Sequence, residues 1–242
     1  MQGFEMLLYG TGNTLYNKDK DQWVVGSDGF IDSLKFLETI FSSGLGASMQ
    51  SMNDTNWSQT LYNKYFPDDK VGISLDGSWI PYNWLSTAEE PWEDWANEVG
   101  WTAMPTQDGQ DPGKVSMSGG WAFAMGANAK NPDLSFEFMK QLNSKQNALS
   151  YTLANASVPV RTDVREDPKF KNQENSSAEF FSSLIDYTNF RPANENYPRV
   201  SAEIQKAMES VMTGSATPVQ AAKKYDAAVE SIVGSENVID ES

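Results

Sequence analysis

The chain has 242 residues, room for one large domain or two small ones. Its 33 acidic against 18 basic side chains, a formal charge of −15, repel nucleic-acid phosphates and anionic membrane surfaces, so no nucleic acid is expected as a partner. Cys and His are both absent, which excludes disulfides, thiolate or imidazole metal sites and Ser-His-Asp or Cys-His nucleophiles, and leaves carboxylates, Lys, Tyr or Ser-Lys pairs for any catalysis.

No apolar run approaches the ~18 to 20 residues that span a bilayer. The opening "MQGFEMLLYGTGN" has no basic region followed by an apolar stretch and a cleavage site, so no leader is expected within it. Absence of Cys fits work outside a reducing cytosol. Next, "NTLYNKDKDQWVVGSD" predicts two short strands, Thr14 to Tyr16 and Trp23 to Val25, around a polar turn. Asn17, Asp19 and Asp21 alternate as at the start of a calcium loop, but Gln22 stands where that loop needs Gly and no Glu closes it, so no metal is expected.

Ser27 or Asp28 caps a helix to about Ser43, with Ile31, Leu34, Leu37, Ile40 and Phe41 on one face and Gly44 beyond. A second helix starts near Asp54 or Thr55 and carries Trp57, Leu61, Tyr62, Tyr65 and Phe66 before "PDD". The run "KVGISLDG" predicts a strand, "WEDWANEV" a short polar helix, and "TQDGQDPGK" an exposed hairpin or loop. In "SMSGGWAFAMGAN" a strand is expected to emerge from Gly119 and Gly120, a pair that lets backbone approach a neighbour or a ligand closely.

Asn131 and Pro132 open a helix through Leu142, and Ser144 caps another to about Leu153; "ASVPVRTDV" reads as extended. Helices then follow over roughly 177–187 and 198–213, the last one opening at Thr217 and Pro218 and stopping at Gly234. Short strands between long helices predict an α/β layer architecture, with helices covering a small mixed sheet. About five strand candidates are few for that many helices, as if part of a larger fold were missing.

For acid/base chemistry, Asp76 at a strand end is the best single carboxylate, with Glu89, Glu90, Glu93 and Asp94 as partners for a glycoside hydrolase. The same four acids suit a helix entry for plain electrostatic reasons. No glycine cluster has a phosphate-loop spacing. Aromatic usage is more informative: there are eight Trp, and Trp79, Trp84 and Trp121 each follow a turn. Sugar C–H faces stack on indole while their hydroxyls need polar partners, so a carbohydrate cleft has this composition; Trp23, Trp92, Trp95 and Trp101 read as core anchors.

The ordered set "KVGISLDGSW", "VGWTAMP", "SGGWAFAM", "NPDLSFEFMKQL" and "SVPVR" resembles the carbohydrate-type extracellular solute-binding proteins of ABC importers, the family that includes maltose-binding protein. "GNTLYNKDKDQWVVGSDGFIDSLKFL" is similar to that family's hairpin and following helix, and "AMESVMTGSATPVQAAKKYDAAV" to its terminal helical pair. The resemblance implies a type II periplasmic-binding-protein-like fold, mainly its C-terminal lobe with part of the N-terminal lobe. It implies that 1–102 and 149–242 form the first and second parts of the C-terminal lobe, and that 103–148 is an excursion adding a strand and helix to the N-terminal lobe. On this reading the chain matches only the later part of a family member, and sugar binding by 1–242 is expected to be weak or undetectable by calorimetry.

The implied function is non-enzymatic: a sugar or oligosaccharide held between two hinged lobes and delivered to permease subunits by a monomer, with no cofactor. The implied location is extracellular, lipid-anchored at the cell surface, or periplasmic, any membrane contact being through an anchor outside this chain. Trp79 matches the family's stacking tryptophan, and Gly119, Gly120 and Trp121 its cleft-lining Gly-Gly segment. Tyr197 and Arg199 lie where an aromatic or polar contact is often placed. Asp76 either accepts sugar hydroxyls or caps the following turn, Trp84 reads as packing, and Tyr82 is left open between the two roles. The alternatives are a glycoside hydrolase using Asp76 and a nearby Glu, and a binder of a non-sugar solute within the same family.

Overall fold

A computed structural model describes residues 2–87, 90–173 and 177–242; Glu89, one of the candidate acids, lies outside the described residues. The longer helices are α1 (Gln2–Gly10), α2 (Asp28–Ser42), α3 (Pro132–Leu142), α4 (Lys145–Asn155), α5 (Tyr197–Met212) and α6 (Pro218–Val233). Strands are β1 (Tyr16–Asn17), β2 (Gln22–Val25), β3 (Met104–Pro105), β4 (Lys114–Met117), β5 (Thr188–Asn189) and β6 (Val238–Asp240). The chain divides into two compact units: unit 1 holds Met1–Trp57, Ala103–Ser118 and Tyr187–Ser242, and unit 2 holds Ser58–Thr102 and Gly119–Asp186.

Unit 1 contains two three-stranded mixed sheets. β1 pairs antiparallel with β2, Tyr16 opposite Trp23, and β2 pairs parallel with β6, Trp23 opposite Val238. In the second sheet β3 pairs antiparallel with β4, and β4 parallel with β5, Ser116 opposite Thr188. The expected hairpin around "TQDGQDPGK" is therefore present, closed by β3 and β4.

Helix ends follow the local chemistry. Ser27 Oγ accepts the Phe30 N–H at 3.2 Å to start α2. Thr217 and Gln220 form a reciprocal capping box ahead of α6, with Pro218 in its first turn. Helices α2, α5 and α6 pack on one another. Phe30 stacks on Tyr225 with ring centroids 4.2 Å apart and meets Phe4 edge-on at 5.1 Å; Leu34, Ile204 and Val229 complete a core shielded from water.

Residues 2–10, without an expected element, form α1, whose Phe4, Leu7 and Leu8 are buried at helical spacing. Its fourth residue, Glu5, is fully buried: Arg191 Nε donates to Oε2 at 3.2 Å and the Tyr197 hydroxyl donates to Oε1. Tyr9 Oη donates to the Phe190 carbonyl at 3.3 Å, so α1 grips the segment between β5 and α5 at two points.

At the start of α2, the Gly29 N–H donates to Asn13 Oδ1 at 3.0 Å, and a Cβ on Gly29 would overlap both that oxygen and Thr11 Oγ1. Gly29→Ala is expected to destabilise unit 1 by about 1–3 kcal/mol. Urea unfolding followed by far-UV dichroism checks this, and an unchanged midpoint would contradict it.

Unit 2 holds α3, α4, several short helical segments and an aromatic cluster. The helix expected over "TNWSQTLYNKYF" is present as Trp57–Thr60 continuing into a π-helical turn, Leu61–Tyr65. Ser144 caps α4 by accepting the Asn147 N–H at 3.4 Å. Trp84 is buried and surrounded by Phe66, Trp92, Trp95 and Trp101, with centroid separations of 5.2, 5.2, 5.5 and 6.2 Å. Trp101 continues the cluster to Phe181 at 5.2 Å.

Two expected strands do not form. Residues 71–75 and 121–125 make no ladder, with Ile73 91% and Trp121 98% exposed. Both runs alternate apolar residues as a strand does, but a strand exists only when a neighbour takes its N–H and C=O groups, and among the described residues neither run has one. Part of "ASVPVRTDV" is helical rather than extended, at Thr162–Arg165.

Candidate functional site

The eight residues chosen from sequence fall into two groups. Asp76, Trp79, Tyr82, Gly119, Gly120 and Trp121 belong to unit 2, and Tyr197 and Arg199 to unit 1.

The turn "DGSWIPY" is locally dictated. Ile80 N–H donates to the Gly77 carbonyl at 3.1 Å and Tyr82 N–H to the Trp79 carbonyl at 3.1 Å, while Pro81 favours the short helix Ile80–Tyr82. Asp76 Oδ1 accepts its neighbour's N–H, from Gly77, at 2.9 Å. That contact is local, to the residue that opens the turn. Tyr82 is half-buried in that helix.

Trp79 is held in a specific pose. A Cβ on Gly77 would collide with the indole, the ring atom Cε3 lying 2.7 Å from where that carbon would sit, so the six-membered ring rests on the bare glycine. Trp79 is nonetheless 43% exposed. Trp84, five residues on, is buried in the aromatic cluster as expected for packing.

Burial pushes the Asp76 carboxyl above its usual range, against the Gly77 N–H, the Tyr62 hydroxyl and the Trp79 indole, which all favour the ionised form. Tyr62 is pushed up to about 12 by its own burial and by the negative Asp76. The sign for stability follows from linkage: a carboxyl raised in the folded state stabilises when protonated, and this contribution is lost as pH rises through the folded value. Asp76→Asn is therefore expected to gain in melting temperature relative to the parent as pH rises from about 3 towards 7. A difference independent of pH would contradict the assignment.

Gly119 and Gly120 are exposed, with no atom within 4 Å of a Cβ built on either. Among the described residues nothing comes close to either glycine on the side a Cβ would occupy. Gly120 has φ +149°, where a side chain would be strained, and it presents Trp121 almost wholly to solvent.

Tyr197 and Arg199 lie in the first turn of α5. The Tyr197 hydroxyl is taken by Glu5, and burial together with that carboxylate raises its pKa. Arg199 is exposed. Of the candidate acid partners, Glu90, Glu93 and Asp94 are exposed, and among the described residues no group of three or more acids is arranged to hold a metal.

Two concavities have no expected residue on their walls. One in unit 1, about 110 Å³, is lined by Tyr9, Thr14, Tyr16, Lys18, Thr188, Asn189, Phe190 and Pro192. The other, in unit 2, has a volume of about 370 Å³ and is lined by Arg165, Phe170, Lys171, Gln173, Glu179 and Ser182. The first draws its lining from two stretches far apart in sequence and the second from 165–182 alone, and neither lining carries a recognisable motif. Among the described residues no helix is long and apolar enough to cross a membrane.

The fold has close counterparts among solved structures. The GacH receptor of Streptomyces glaucescens, solved unliganded and with acarbose, superposes with a TM-score of 0.80 at 22% identity over 96% of this chain and 56% of that one. An ABC transporter solute-binding protein from Thermotoga lettingae, bound with α-D-tagatose, gives 0.78 at 22% identity with coverage of 96% and 56%. Maltose-bound MalE3 of T. maritima gives 0.75 at 18% identity, covering 96% and 57%. The chain thus has the type II periplasmic-binding-protein-like fold and spans a little over half the length of these structures. No curated protein matches it significantly. The family model of bacterial extracellular solute-binding proteins matches residues 2–178, and the chain belongs to that family.

Proposed function

We propose that the chain carries a carbohydrate-binding surface of an extracellular solute-binding component that delivers sugar to the permease of an ABC importer, acting as a monomer without catalysis. The single observation that carries this reading is the Trp79 indole, seated on Gly77 and still partly exposed to water. A flat apolar face fixed beside polar groups suits the C–H face of a pyranose or furanose ring. Family membership and structural neighbours that hold acarbose, tagatose and maltose support it. Gly119, Gly120 and Trp121 offer bare backbone and a second exposed indole to the same kind of ligand; Tyr82 is a further candidate contact on unit 2, and Arg199 one on unit 1. In this reading 1–102 and 149–242 are the two parts of the C-terminal lobe and 103–148 the excursion to the N-terminal lobe. A lipid anchor at the cell surface, supplied from outside these residues, is the proposed mode of attachment.

A test is titration with acarbose, maltose and D-tagatose followed by tryptophan fluorescence, with a peptide panel in parallel. A sugar response reduced about tenfold or more by Trp79→Ala, with none to peptides, is expected. A sugar response indifferent to Trp79→Ala would overturn the platform, and a response to peptides alone would place the chain among binders of non-sugar solutes. Turnover of aryl-glycosides abolished by Asp76→Asn would instead reveal a hydrolase.

A further inference from the structure

The concavity of unit 1 takes its walls from α1, the β1–β2 hairpin and the segment after β5, and bonds within the chain hold those walls in place. Tyr9 Oη donates to the Phe190 carbonyl at 3.3 Å, and one turn earlier on α1 Glu5 accepts from Arg191. Arg191 is thereby drawn to the buried carboxylate, while its neighbours Phe190 and Pro192 line the cavity. On the hairpin, the Tyr16 ring meets Trp23 edge-on at 5.1 Å, and its hydroxyl donates to Asp21 and accepts from Asn194 Nδ2 at 3.4 Å. Both Tyr rings are therefore fixed before any ligand arrives.

The hydrogen-bonding capacity left on these walls is small. Tyr9 and Tyr16 have each given away their one hydroxyl proton. Among the described residues, Lys18 Nζ has no hydrogen bond or ion pair, and the Asn189 amide, which donates to the Ser116 carbonyl at 3.4 Å, leaves its oxygen unused. Ring faces with one spare donor group and one spare acceptor suit a compact molecule that has an apolar face and hydroxyl groups. An anion is disfavoured, since the Asp21 carboxylate sits on the Tyr16 hydroxyl and the chain carries a charge of −15. At about 110 Å³ the cavity is smaller than the ~150 Å³ that takes a benzene ring, so it holds one compact unit.

We propose that this cavity binds one small neutral polyol, a single sugar or a linear polyol of similar size. Its C–H edge packs on the rings of Tyr9, Tyr16 and Phe190, while its hydroxyls accept from Lys18 Nζ and donate to Asn189 Oδ1. The site lies wholly in unit 1 and does not rest on the Trp79 platform.

The test is a titration of the ¹⁵N-labelled chain with xylitol and D-tagatose, and with lactate as the anionic probe, followed by ¹⁵N–¹H shifts. Saturable shifts are expected for the Asn189 side-chain amide and for the backbone amides of 16–18 and 188–190, with the polyols and not with lactate. Phe190→Ala, at a position 58% exposed, is expected to weaken binding about tenfold and Lys18→Ala about threefold. Phe190→Tyr, which keeps the ring, should restore it. If Phe190→Ala also lowers the melting temperature, Lys18→Ala on the exposed hairpin decides alone.

Shifts that fail to saturate or that spread evenly over the chain overturn the proposal, as does an affinity indifferent to Lys18→Ala and Phe190→Ala. A response to lactate as strong as that to the polyols overturns the neutral ligand. The Trp79 platform is read at other signals and by a variant of its own, so either site can fail while the other stands.

Discussion

Replacing Trp84 by alanine is expected to destabilise unit 2 by about 3–5 kcal/mol, the range for removing a large buried aromatic side chain. Trp84 is 1% exposed and touches four aromatic rings that come from three separate stretches of chain, so its removal leaves a cavity that no single neighbour can fill. Among the described residues its indole N–H has no hydrogen-bond partner. Trp84→Phe therefore loses ring area but also relieves a buried unsatisfied donor, and should cost less than the alanine variant, about 1–2 kcal/mol. Urea unfolding of both variants measures the difference, and equal losses would mean that the ring contacts are not what holds the cluster.

Arg191→Ala should cost unit 1 about 3 kcal/mol or more, because it removes the cation that faces a fully buried carboxylate. Glu5 would then keep only the Tyr197 hydroxyl as a partner among the contacts described. The pair differs from the other ion pairs among the described residues, none of which holds a fully buried carboxylate and which contribute little, as in Lys35–Asp32 or Lys206–Glu203. Pairing Arg191→Ala with Glu5→Gln, which removes the charge but not the bulk, should recover part of the loss. A double-mutant cycle giving purely additive costs would contradict a direct interaction.

Much of this fold is legible from local chemistry. The Ser27 cap, the Ser144 cap and the Thr217–Pro218 entry to α6 are short-range signals, and the structure realises each of them where the pattern places it. The hairpin β1–β2 is equally local, its alternating residues meeting across a tight turn. Strands with distant partners are a different matter. β6 has no distinctive sequence and exists because β2, more than two hundred positions earlier, offers it a parallel edge. The apolar alternation in 71–75 and 121–125 points to strands, yet alternation describes a side-chain face and not a backbone partner, and the ladder is missing.

The candidate site shows the same division. That Trp79 follows a glycine turn is written in "DGSW"; that its ring lies back over Gly77, with Asp76 held by the Gly77 N–H, is a matter of side-chain conformation. The engagement of Tyr197 by Glu5 is not foreseeable from spacing, since the two are separated by most of the chain.

By itself the sequence determined the class of protein: an acidic α/β chain without thiol or imidazole chemistry, its helices punctuated by caps, prolines and glycines, and its tryptophans set beside turns. These features depend on a few consecutive residues, where steric limits and short hydrogen bonds act directly. Only the tertiary structure decided that Trp84 is sealed and Trp79 half open, that Glu5 is buried with Arg191, and which apolar runs become strands. Burial and pairing depend on what arrives from elsewhere in the chain, and a residue five positions from another can therefore meet a wholly different environment.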